Sequence, residues 1–209
     1  MKHGGVIVKG VCVLLAFVLS SCSTTPTQRA PVKTDYIAFD IETTGLSSKK
    51  DRIIEIGVAS VSKGRVIDSR SWLINPGLDI PERSTRVHGI TDDMVADAEA
   101  FGVIFNKFQT YVGAYPLAAH NASFEKRFLE AECERSGCPR PPNQIIDTLA
   151  LFRKIYPNRE SYRLSALSAD MKVNTAPNHR GEQDAYALAE LLIKSRILDA
   201  NALLKTQAP

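Results

Sequence analysis

Two carboxylates stand two residues apart inside an otherwise apolar run, Ile37-Ala38-Phe39-Asp40-Ile41-Glu42, and that pair constrains the chain more than any other feature. Residues at i and i+2 of an extended strand point to the same face, so Asp40 and Glu42 lie side by side. Two like charges at that spacing repel unless a proton or a cation sits between them. Placing them among isoleucine and phenylalanine is costly without such a partner. Hard carboxylate oxygens favour Mg²⁺ or Mn²⁺, so the strand is expected to carry a divalent-metal site. The bland alternative is a solvated acidic pair on a surface strand, and the motif needs further context to be told from it.

Two later blocks supply that context. Ala119-His120-Asn121-Ala122-Ser123-Phe124-Glu125-Lys126-Arg127-Phe128-Leu129 follows a short apolar stretch at 116–119. Asn121 or Ser123 is a helix-capping residue type, and Glu125 then shares a face with Phe128 and Leu129. A carboxylate on the inward side of a helix calls for a partner. His179-Arg180-Gly181-Glu182-Gln183-Asp184-Ala185 opens a helix in which Asp184, Leu188, Leu191 and Leu192 form one stripe. Asp184 therefore also faces inward, with His179 just ahead of the helix. Glu132 lies about 10 Å along its helix from Glu125 at the α-helical rise, too far to substitute for it.

In order and spacing these three blocks resemble the Exo I, II and III motifs of the DEDDh 3′–5′ exonucleases, the family of the epsilon-type proofreading subunit, ribonuclease T and oligoribonuclease. Ile80 to Thr91, with Val87-His88-Gly89-Ile90-Thr91, resembles the family's segment between the first two motifs. Asp147-Thr148-Leu149 and Tyr162-Arg163-Leu164-Ser165-Ala166-Leu167 resemble the stretches before the third. The resemblance covers roughly residues 34–194. It implies a ribonuclease-H-like α/β fold, a mixed five-stranded sheet flanked by helices, and hydrolysis of phosphodiesters at the 3′ ends of single-stranded DNA or RNA.

It also implies two Mg²⁺ (or Mn²⁺) ions about 4 Å apart. By analogy Asp40 bridges both, Glu42 and Asp184 complete the first, and Glu125 supports the second through water. His179 acts as general base, a role suited to imidazole, and Leu46 wedges against the terminal base. Thr43, His120 and Asn121 join Leu46 as substrate-binding candidates. One departure stands out, because the family carries Asp where this chain has Glu125. The extra methylene moves that carboxylate by about one bond length, enough to disturb a tightly held metal geometry. Two other classes compete with the enzyme: a nucleic-acid-binding pseudoenzyme, and an envelope interaction lipoprotein that keeps the fold as scaffold.

The ends of the chain read differently from its middle. Lys2 and Lys9 precede an apolar run from Val11 to Leu19, too short to span a bilayer and shaped like a signal-peptide core. It closes with Leu19-Ser20-Ser21-Cys22, which resembles the lipobox of bacterial lipoproteins. That resemblance implies cleavage before Cys22, acylation of the cysteine, and a lipid-anchored protein of the cell envelope. Ser23 lacks the Asp tied to inner-membrane retention, which favours the outer membrane in a two-membraned source. The alternatives are an uncleaved anchor, or a start site assigned too far upstream, in which case the protein is cytoplasmic. The expected organisation is signal peptide 1–21, polar tether 22–33, exonuclease domain 34–196 and C-terminal tail 197–209.

The 209 residues are 44% apolar and 23% charged, ordinary for one globular domain. Without Lys2 and Lys9, the 26 basic residues would exceed the 23 acidic ones by only one. That near-neutrality provides no general polycation for duplex binding and favours a small channel accepting a strand end. Strands are expected at 36–40, 53–61, 66–74, 116–119 and 144–146, the second and third joined in a hairpin around 62–65. Helices are expected at 101–112, 122–136, 148–156, 164–170 and 181–194, with Asp147 capping the third of these. Cys133 and Cys138 lack partners at zinc spacing; they are either two free thiols or a disulfide across a helix end closed by Gly137 and Pro139.

Overall fold

The computed structural model describes Met1 and residues 35–197. The expected signal peptide, Cys22, the tether and the tail beyond Ile197 lie outside the described residues. Strand β1 (Tyr36–Thr43) pairs antiparallel with β2 (Ile53–Ser62), and β2 pairs antiparallel with β3 (Arg65–Leu73). Lys63 (φ 50°) and Gly64 (φ 69°) make the two-residue turn of the β2–β3 hairpin, the left-handed pair that matches the twist of the flanking strands. On the other side of β1 come β4 (Leu117–Ala119) and β5 (Ile145–Asp147), both parallel. The mixed sheet therefore runs β3-β2-β1-β4-β5, with the carboxylate-bearing strand at its centre.

Period-two alternation along β1 separates two cores. Ile37, Phe39 and Ile41 pack with α3 (Phe101–Val112) and α4 (Ala122–Ser136). Tyr36 and Ala38 pack on the opposite face with α5 (Thr148–Ile155), α6 (Leu164–Asp170) and α7 (Gly181–Ser195). Asp40 and Glu42 continue the Tyr36–Ala38 series, so both belong to the α7 face. The expected stripe on α7 is buried, Asp184 together with Leu188, Leu191 and Leu192. Glu125 is buried with Phe128 and Leu129.

The expected helices form, and most strand ends differ by one to three residues. β1 runs on to Thr43 because Glu42 and Thr43 stay paired with β2 across a register shift. Two helices were not anticipated, α1 (Glu82–His88) and the single turn α2 (Asp92–Val95). Their sequences are largely charged and give no apolar period. They are held instead by a small separate core of Ile54, Ile80, Ile90 and Val95. Asp147 caps α5 as expected, accepting from the backbone N–H groups of Leu149 and Ala150. Asn121 occupies the position before α4 but caps nothing. Its backbone is left-handed (φ 82°), and its side-chain oxygen accepts from Ser123 Oγ. Gly137 closes α4 as expected, and Cys133 and Cys138 are free thiols.

Candidate active site

Parallel pairing of β1 with β4 puts the carboxylate end of β1 beside the chain that leaves β4 into α4. Helix α7 arrives from the other side of the sheet. Its first residue, Gly181, sits directly on Gly57 of β2, the cross-strand partner of Asp40. A Cβ built on Gly57 would fall 1.8 Å from the Gly181 carbonyl carbon, so only glycine lets the helix start approach the strand this closely. The approach carries Asp184 to the carboxylates of β1.

There Glu42, His179 and Asp184 each offer a ligand atom, and these atoms lie within 4.8 Å of one another. Glu42 and Asp184 are buried and His179 is exposed at the rim. Burial is the largest influence on all four acidic side chains. It raises Asp40 well above the ordinary carboxylate range, with Glu42, Glu125, Asp184 and Glu55 adding repulsion. Glu42 is pushed to about 8, next by Asp184 and Glu55, with Arg180 opposing. Asp184 is also raised by burial, against the backbone N–H groups of the 178–180 turn that favour its charged form. One of these is direct, Asn178 N donating to Asp184 Oδ1 at 2.9 Å.

Glu125 stands apart from the three clustered ligands. It too is pushed to about 8, by burial first and by Asp147 as a further charge. Its Oε2 is buried without a hydrogen-bond partner among the described residues. An orphaned carboxylate oxygen on a side chain that repels Asp40 is the environment a cation would relieve. Hard oxygens with one imidazole suit a divalent ion. These residues therefore form a site able to hold one.

Two clefts reach the cluster. One, of about 850 Å³, is lined by His179, Asp184, Asn121, Arg153 and Arg163. The other, of about 690 Å³, is lined by Glu42, Thr43, Leu46, Val87 and Phe124. Leu46 is 84% exposed and Val87 55% exposed, an apolar pair with nothing packed over it among the described residues. The turn bearing Leu46 is fixed: Thr43 Oγ1 donates to the Gly45 carbonyl at 2.6 Å, and Ser84 Oγ of α1 donates to the Thr44 carbonyl at 2.7 Å.

Among the expected substrate contacts, Thr43, Leu46, His120 and Asn121 all line one cleft or the other. Both ring nitrogens of His120 are taken. Nδ1 pairs with Thr148 Oγ1 at 3.0 Å and Nε2 with the Tyr162 carbonyl at 2.7 Å, so the ring ties α5 to the 162 segment. Burial pushes its pKa below the ordinary value, in keeping with a neutral structural imidazole. Glu132 is likewise engaged elsewhere, accepting from the Ile53 N–H and paired with Arg135.

Sequence reasoning passed over Glu55 and Arg180. Glu55 is the cross-strand partner of Glu42 and forms a two-pronged ion pair with Arg180. The signal was present: Glu55 is a lone carboxylate in the apolar run Ile53-Ile54-Glu55-Ile56, the same anomaly that exposed Asp40. His88 is engaged within its own segment. Its Nδ1 accepts from Ile90 N at 3.0 Å, and burial lowers its pKa.

Sheet order, flanking helices and a carboxylate–histidine cluster at the sheet's centre define a nuclease of the ribonuclease-H-like fold. A structure of the nuclease domain of 3′hExo, described as a DEDDh family member bound to rAMP, superposes with a TM-score of 0.71 over 83% of this chain and 97% of that one, at 19% identity. Exonuclease X in complex with 5′ overhanging duplex DNA aligns with 83% of this chain and 99% of its own, at 30% identity and a TM-score of 0.67. The chain is 35% identical over 159 residues to the PolC-type DNA polymerase III of Bacillus cereus, and 36% over 158 residues to that of Clostridium perfringens. It spans only 11% of the length of either polymerase. Residues 37–192 match RNase_T, described as Exonuclease, and the chain belongs to that exonuclease family.

Proposed function

We propose that the protein is a metal-dependent 3′–5′ exonuclease that removes nucleoside 5′-monophosphates from single-stranded DNA or RNA ends. The observation that carries this reading is the convergence of Glu42, His179 and Asp184 within 4.8 Å, between one cleft with two arginines and another that is apolar. Asp40, Glu42, Asp184 and Glu125 would hold two Mg²⁺ or Mn²⁺ ions. When bound, such ions neutralise the phosphate and lower the pKa of the attacking water. His179, at the rim and free to meet solvent, accepts the proton from that water on its imidazole. Leu46 and Val87 offer apolar surface to the terminal base, and Arg153 and Arg163 offer charge to the phosphates that follow. Hydrogen-bonded through Thr43 and Ser84, the 43–46 turn keeps Leu46 in place without a folding cost at each turnover.

The test is degradation of 5′-labelled single-stranded DNA and RNA with Mg²⁺ or Mn²⁺. Stepwise shortening from the 3′ end, abolished by EDTA, supports the reading. Binding without turnover would instead favour the pseudoenzyme, with Glu125 as the natural suspect.

We further propose a lipid anchor at Cys22 and an envelope location, supported by the Leu19-Ser20-Ser21-Cys22 sequence. Acyl labelling that disappears in Cys22→Ser supports the anchor; unmodified full-length protein in the cytosol refutes it.

A further inference from the structure

Glu55 takes three hydrogen bonds from one point in the chain. Arg180 donates through Nε and Nη2, each at 3.1 Å, and the Gly181 backbone N–H donates at 2.9 Å. The side chain is 1% exposed, so this charge is isolated from solvent and depends on those donors. A forked guanidinium–carboxylate pair fixes direction as well as distance. The Gly181 N–H is among the first of α7, donors that have no partner within the helix, and no side chain caps them at Arg180. Six residues before Asp184, the Asn178 N–H is held by that residue's carboxylate at 2.9 Å. Between the two anchors His179 stands at φ 59°. This left-handed backbone is unfavourable for a residue with a Cβ and persists only where its surroundings hold it.

We propose that Glu55 is a positioning residue: through Arg180 and the Gly181 amide it holds the 178–180 turn in the strained form that presents His179 beside Glu42 and Asp184. The proposal rests on the exonuclease reading above and adds to it the part of β2 that aims the imidazole. Glu55 touches no reacting atom. It acts only through the turn, and Gly57, two residues along the same strand, leaves the helix start room to sit against the sheet.

Four variants test this: Glu55→Gln, Arg180→Met, the two combined, and Arg180→Lys. In each of the first two kcat on a single-stranded oligonucleotide should fall roughly 10–100-fold while KM changes less than about twofold, the pattern of lost alignment and not of lost binding. The double variant should be no worse than the poorer single, because residues acting as a unit are not additive. Arg180→Lys keeps the charge without the fork and should show the same split more mildly. It carries the test if Glu55→Gln does not fold.

A second readout needs no turnover. In metal-free protein, tryptic cleavage between Arg180 and Gly181 should quicken several-fold in Glu55→Gln, while cleavage after the exposed Arg86 stays as in wild type. Multiplicative kcat losses in the double variant, or unchanged cleavage at Arg180, overturn the brace. Wild-type protein without divalent-dependent turnover on any strand overturns the exonuclease reading, and proteolysis then decides the brace by itself.

Discussion

At the scale of single residues, the chain concentrates negative charge where burial penalises it most. Asp40, Glu42, Glu125 and Asp184 are all held above their ordinary pKa by burial first, and the first three by neighbouring charge as well. Neutralising one of them should therefore separate stability from activity. Asp184→Asn is expected to lower turnover by roughly 10³-fold, the scale on which a single electrostatic group in a closed site acts. Its metal-free Tm at pH 8 should equal or exceed that of wild type. Activity assays and thermal melts on the same preparations check both halves, and a strongly lowered Tm would show Asp184 to be structural. His179→Ala should cost roughly 10²–10⁴-fold in rate with the fold intact. Legibility at this scale followed burial pattern. Asp40, Glu42 and Asp184 could be read because a charge interrupted a clear apolar period. Glu55 carried the same signal on β2 and was absorbed into the strand, because its partner Arg180 is distant in sequence and adjacent only in space.

Among the elements, the joint between β2 and α7 decides whether the cluster exists. The close approach at Gly57 leaves no room for a methyl group, which would lie 1.8 Å from the Gly181 carbonyl carbon. Both partners there are backbone, so neither yields by a rotamer change. Gly57→Ala should destabilise by about 1–3 kcal/mol, the range for overpacking, and should shift α7 enough to abolish measurable turnover. Chemical denaturation with an activity assay tests this; a variant with wild-type kcat would mean that α7 does not need this seat. The sheet and most helices were legible because period two and period 3.6 are printed in the chain. α1 and α2 were not, since Glu82–His88 reads as solvated charge and is held from below by Ile54, Ile80 and Ile90. Their position matters nonetheless, because Ser84 fixes the motif turn and Val87 lines the same cleft as Leu46.

For the molecule as a whole, the acidic cluster couples folding to pH with a definite sign. Glu42 and Glu125 hold protons in the folded state up to about 8, whereas unfolded glutamates release them near 4.3. Between those values the folded chain binds more protons, so stability falls as pH rises. The metal-free Tm should accordingly drop from pH 5 to pH 8, and Mg²⁺ or Mn²⁺ should restore it more at pH 8 than at pH 5. Scanning fluorimetry at both pH values checks this, and a metal-free Tm that rises over the interval would contradict the cluster's electrostatics. Asp40 lies on β1 and Asp184 on α7, so nearly all of residues 36–195 must be synthesised and folded before they meet. An incomplete or unfolded chain of this protein lacks the assembled acidic cluster.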